Sequence, residues 1–175
     1  METDWLARAL ELGFSHAADW TADVRPLPEI RAMCAADKCH AYNKNWTCPP
    51  LCGTLEECAA RLVQHRSGLL VQTVAQLEDE FDVETMIEAE KAHLAAFHQL
   101  AAELRKAEPD ALCLGTGGCR ICGTCALPEP CRFPERACAS LEGYGLLVSD
   151  LCKQNGLPYY YGKGTVTYTA GLRWG

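Results

Sequence analysis

Positive charge is scarce in this chain: 16 lysines and arginines stand against 23 aspartates and glutamates, for a formal net charge of −7. An acidic surface repels phosphate backbones, so nucleic acid is excluded as a partner. No stretch approaches the ~18 apolar residues of a membrane span. The opening Met1-Glu2-Thr3-Asp4-Trp5 is acidic and has neither the basic region nor the apolar run of a secretory signal. The Gly-x-Gly-x-x-Gly fingerprint, a phosphate loop, a serine or cysteine triad and an internal repeat are all missing. A hydrophobic fraction of 49% over 175 residues still suits a globular core, and the expectation is a single domain over residues 1–175.

Cysteine is present in excess, with twelve residues. Without a secretory signal the expected setting is the reducing cytoplasm. There, clustered cysteines mean metal or redox chemistry rather than a disulfide framework. The densest group is Gly117-Gly118-Cys119-Arg120-Ile121-Cys122-Gly123-Thr124-Cys125, closed by Cys131. Three cysteines at every third position wrap the corner of a cubane, and a fourth completes the thiolate set. The glycines let the loop bend and bring N–H groups near the sulfurs. Zinc competes, but its four-cysteine sites usually take two separated Cys-x2-4-Cys pairs. Cys138 is an alternative to Cys131, disfavoured because it follows Pro134 into what reads as a helical segment.

The second group is Cys34, Cys39, Cys48 and Cys52, with gaps of four, eight and three residues. No regular helix or strand aligns them, so this segment reads as a loop held by something it binds. A second cluster is favoured, with zinc and free thiols as alternatives, and His40 joins the ligand set in the zinc case. The cysteine loops span 34–58 and 115–138.

The rest of the chain reads as scaffold. A short helix over 3–12, capped by Thr3, ends at Gly13, and 14–18 reads as a strand. Thr54-Leu55-Glu56-Glu57 is a capping box opening a helix to about Gln64. Cys58 falls on its apolar face and reads as a small buried residue. Residues 68–75 form an apolar, β-branched strand. Residues 82–107 form the longest helix, with Val83, Met86, Ile87, Leu94, Phe97, Leu100 and Leu104 at helical spacing, stopped by Pro109. His93 and His98 lie five apart on it, not on one face, and read as solvent or boundary residues. A second buried strand over 111–115 runs into the Cys119 loop, with Cys113 pointing to the core. A helical region from Ser140 to about Asn155 follows, broken near Gly143 and Gly145, with Cys152 in or near the core. Pro158–Trp174 reads as a terminal strand, possible as a hairpin about Gly162-Lys163-Gly164. This alternation predicts an α/β or α+β fold: a small mixed sheet with flanking helices and two cysteine-rich metal-binding loops.

Taken together, several motifs resemble one family. They are Cys34, Cys39, Tyr42 and Cys48-Pro49-Pro50; the Gly117–Cys125 loop; Cys131-Arg132-Phe133-Pro134; and Ser140-Leu141-Glu142-Gly143-Tyr144-Gly145. Their order is similar to that in uncharacterised prokaryotic proteins described as predicted metal-binding proteins. The resemblance covers roughly residues 10–150 and implies one or more iron–sulfur clusters in an anaerobe-type cytoplasmic protein, with no settled reaction. Cys52 and Cys58 stand outside the shared pattern. The leading expectation is one or two [4Fe–4S] clusters serving single-electron transfer with a redox partner protein. Cys119, Cys122, Cys125 and Cys131 hold one, and Cys34, Cys39, Cys48 and Cys52 the other. The alternatives are an iron–sulfur enzyme whose open-site cluster acts on a small molecule, and a zinc-stapled binding or assembly module.

Overall fold

A computed structural model describes residues 3–175; Met1 and Glu2, the start of the acidic opening, lie outside the described residues. The elements run α1 (Trp5–Glu11), β1 (His16–Asp19), α2 (Pro28–Ala35), α3 (Leu55–Val63), β2 (Ser67–Gln76), α4 (Val83–Ala107), β3 (Leu112–Leu114), α5 (Val148–Gln154) and β4 (Thr165–Trp174). The strands form one four-stranded sheet in the order β1-β2-β4-β3. All three ladders are antiparallel, and the parallel contact is an isolated bridge between Gly115 and Ser140.

The expected fold class, a small sheet with flanking helices, is what the chain adopts, with antiparallel ladders where a mixed sheet was expected. Alternation along the strands splits the core into two layers. Leu69 and Val71 of β2, Cys113 of β3 and Ala170 and Leu172 of β4 face Phe97, Leu100, Ala101 and Leu104 of α4 and Ala9 of α1. Leu70 and Leu114 face the other way, against Trp20, Cys58 and Leu62 of α3, and Leu151 and Cys152 of α5. Burial on both faces explains why 68–71 is an unbroken apolar run.

Local signals placed several boundaries well. The Thr54–Glu57 capping box is formed in both directions, and Asp82 caps α4 through the Thr85 N–H. Four expectations need correcting. The cap of α1 is Asp4, whose carboxylate accepts from Ala7 N–H, so Thr3 lies outside the helix. Residues 141–145 form turns, and only 148–154 are helical. The terminal segment makes no hairpin: β4 is an interior strand, paired with β2 along ten residues and with β3 along three. Its Gly171 leaves room for Trp20, whose Cζ3 would lie 2.7 Å from an added Cβ.

The fourth correction concerns α4. Val83 and Ile87 are exposed, whereas His93 is completely buried. One His93 ring nitrogen, Nδ1, meets Thr73 Oγ1 at 2.9 Å, and the ring packs edge-on to Phe14. Its Nε2 has no partner. Burial holds its pKa down to about 4, so the folded state keeps the ring neutral while the unfolded chain binds a proton from about pH 6.5 downward. This stabilisation is complete above about pH 6.5 and disappears as pH falls toward about 4. The cost is about 3 kcal/mol, from roughly 1.4 kcal/mol per pKa unit. Denaturant titrations at about pH 7 and about pH 4 should show the wild type losing about 3 kcal/mol more than His93→Gln; equal losses would contradict this account.

Candidate metal centre

The Cys119 loop leaves β3 and returns to the sheet through a narrow neck. Gly115 N–H donates to Ala139 O at 2.8 Å, and Leu141 N–H donates to Gly115 O at 3.1 Å. Beneath this neck lies Phe97, whose Cε1 would be 3.1 Å from a Cβ at Gly115. Arg105 on α4 clasps the returning limb, donating to Glu135 O at 2.8 Å and Ala137 O at 3.3 Å. Arg120 pairs with Glu90 of α4 at 2.9 Å. Between these tethers, residues 116–138 form no helix or strand. Tethered at its ends and irregular inside, the loop has the character of a segment ordered around something it holds.

Cys119, Cys122, Cys125 and Cys131 line one recess, together with Trp46 of the preceding cysteine loop and Phe133. Trp46 Nε1 donates to Glu129 O at 2.9 Å, tying the two loops together. The Leu127 N–H, with smaller help from the N–H groups of Trp46 and Ala126 and from Arg132, holds the Cys125 thiol below its ordinary pKa. Burial pushes Cys119 up, and Cys131, Cys122 and Cys125 add to that rise, against the Ile121 N–H. Thiols that oppose one another's ionisation need a positive body between them to ionise together. The N–H groups aimed at sulfur are the kind that stabilise bound thiolates. No group of three His, Cys, Asp or Glu side chains among the described residues converges on an ion-sized centre.

The first cysteine group is more spread. Cys34 and Cys39 line a cleft beside Glu142 and Tyr159. Cys48 is buried against the other loop, with its sulfur 3.4 Å from where a Gly118 Cβ would stand. Its thiol is pushed up chiefly by burial, and both Cys39 and Cys119 contribute. Cys48 is therefore where the two groups meet, a juxtaposition that sequence spacing cannot reveal. Cys52 is turned elsewhere. Its sulfur is 3.6 Å from Gly143 O, and its nearest thiol is Cys58. Arg31 approaches both, at 3.4 Å from Cys58 Sγ and 3.9 Å from Cys52 Sγ. The Cys52 hydrogen bond, with Arg31 and Arg61, holds the Cys58 thiol below its ordinary value and leaves Cys52 above it. His40 is exposed, with φ 57°.

The remaining cysteines are buried as expected. Cys113 and Cys152 are core residues, and Cys152 accepts from Gln72 Nε2 at 3.5 Å. Cys138 is buried too, but its segment is irregular and not the expected helix, and Arg105 donates to its sulfur at 3.5 Å. Arg31 and Arg105, each against a pair of thiols, were the residues that sequence reading missed. Nothing in their spacing marks them: Cys52 and Cys58 lie 21 and 27 positions from Arg31, and Cys138 lies 33 from Arg105.

With this geometry in place, comparison with known proteins adds one finding. The family model described as "Predicted metal-binding protein (DUF2284)" matches residues 20–172, and the chain belongs to that family. Comparisons with curated proteins and with solved structures gave no match.

Proposed function

We propose that this member of the predicted metal-binding family is an iron–sulfur protein that exchanges single electrons with a partner protein. Cys119, Cys122, Cys125 and Cys131 would hold one [4Fe–4S] cluster. Cys34, Cys39 and Cys48, with Cys52 as fourth ligand, would hold a second. Its setting would be the reducing cytoplasm of an anaerobe, in keeping with twelve free thiols. When bound, such a cluster supplies reversible one-electron chemistry. The chain's own part is to order the loops, aim N–H groups at the sulfurs and cover the recess with Trp46 and Phe133.

The observation that carries this reading is that four thiols line one recess, with backbone donors turned toward Cys119 and Cys125. A second reading has its own support. Cys52 bonds to Cys58 in preference to the other first-group thiols, which favours a three-cysteine first site with an open iron, suited to an enzyme acting on a small molecule.

Protein purified without oxygen should contain about eight iron and eight acid-labile sulfide per chain, with a broad visible absorption that bleaches on reduction. Cys52→Ala should lose about half of both if Cys52 is a ligand, and neither if the first site is open. One or two zinc with no sulfide would overturn both readings and leave a zinc-stapled binding or assembly module.

A further inference from the structure

Arg173 is an unusual residue for the interior strand of a sheet. It lies on β4, opposite Gly68 of β2 and Leu112 of β3, and is only 6% exposed. Its guanidinium lies 5.1 Å from the Trp20 ring centroid, and Nη2 donates to His65 O. Nε is buried with no partner. Among the described residues no carboxylate forms a salt bridge with it. Asp23 attracts it at longer range, too weakly to cancel the desolvation that pulls its pKa below the usual value.

A buried charge that is stacked but unpaired costs stability, and an apolar side chain of the same volume would avoid that cost. Such a group needs a reason, and the space beside it supplies one. Arg173 forms part of the wall of a cleft of about 490 Å³ between the segment after β1 and helix α3. Val24, Pro26, Leu55, Ala59, Leu62 and Val63 make its walls apolar, and Val63 is 75% exposed there. Asp23, Arg25 and Glu56 are the exposed charges lining it.

We propose that this cleft binds an apolar monocarboxylate, with the carboxylate on Arg173 and the hydrocarbon body against the α3 wall. A guanidinium with no carboxylate partner matches one carboxylate, and in a desolvated setting the pair is strong. The apolar lining selects a hydrocarbon body over a sugar or nucleotide. Asp23 and Glu56 repel multiply charged anions, so a monoanion fits better than phosphate or a dicarboxylate. The site uses none of the cysteines and stands independently of the metal centre.

The test is isothermal titration of the full, metal-loaded chain with hexanoate, and with hexan-1-ol and inorganic phosphate as probes of the separate chemistries. One hexanoate should bind saturably, more tightly than either comparison probe. Arg173→Met should weaken hexanoate at least about tenfold, while the melting temperature holds or rises because an unpaired buried charge has gone. Should Arg173→Met fail to fold, two milder variants decide the matter. Glu56→Gln, at an exposed position, should tighten hexanoate severalfold at low salt, and Ala59→Phe should fill the cleft and abolish binding. The proposal is overturned if hexanoate does not saturate the wild type, if hexan-1-ol binds as tightly, or if Arg173→Met melts lower with affinity unchanged. It is equally overturned if neither Glu56→Gln nor Ala59→Phe alters hexanoate affinity.

Discussion

Cys125→Ser is expected to strip the metal from the Cys119 loop and to lower the melting temperature more than any other single cysteine substitution. The Cys125 sulfur receives N–H groups from both cysteine loops, so under the proposed assignment it is the ligand whose loss disturbs both. Residues 116–138 have no helix or strand to fall back on. In small metal-ordered domains the bound metal supplies on the order of 10 kcal/mol of folding free energy, far above the ~1 kcal/mol of an average substitution. The matched control is Cys152→Ser, at a fully buried thiol whose neighbour is Gln72. Serine there exchanges a soft, weakly polar thiol for a smaller, strongly polar hydroxyl and should cost about 1–2 kcal/mol without touching metal content. Iron, zinc and sulfide analysis together with thermal unfolding of the two variants separates ligand from core. Equal metal content in both would contradict the assignment of Cys125.

The second large effect is expected at Phe97. Its ring is 1% exposed, belongs to the α4 layer of the core and fills the space beneath the neck at Gly115. Phe97→Ala should cost about 3–5 kcal/mol, combining lost burial with an unfilled cavity. The effect should also reach the metal centre, because the Gly115–Ala139 and Leu141–Gly115 bonds close the loop directly above the ring. Chelator competition should extract metal faster from Phe97→Ala than from Phe97→Leu, which keeps most of the volume. A variant destabilised by several kcal/mol but losing metal at the wild-type rate would mean that the neck, and not the core beneath it, governs access.

Much of the scaffold was legible from local chemistry. The capping box at Thr54, the long apolar stripe ending before Pro109 and the unbroken apolar run at 68–71 all report on neighbours a few residues away. Helix caps, helical periodicity and strand propensity act over that range. That Cys119, Cys122, Cys125 and Cys131 share one recess was legible for the same reason, since cysteines three positions apart in a glycine-containing loop carry their spacing within one short segment. Family membership was legible because the order of the cysteine, proline and tyrosine motifs is itself a property of the sequence, and the family match over residues 20–172 bears it out.

The departures share one cause. His93 sits at a helical position that looks equivalent to an exposed one until Thr73, twenty residues earlier, offers its hydroxyl. The last segment reads as a terminal strand or a hairpin because nothing near it in sequence says that β2 and β3 will close on both of its sides. Cys52 looks like a continuation of the first cysteine group, yet α2 brings Arg31 to it and α3 brings Cys58.

By itself, then, the sequence determined the acidic balance, the capped helix after Thr54, the long helix before Pro109, the buried strand and the presence of two cysteine loops, because each depends on contacts within a turn or a few residues. Only the tertiary structure decided that Cys48 lies against Gly118, that the Cys52 and Cys58 thiols share a hydrogen bond, and that Arg173 is buried beside an apolar cleft. These juxtapositions follow from the order of the strands and from which helix covers which face of the sheet. That choice is made by packing the whole chain at once, and no local window of residues contains it.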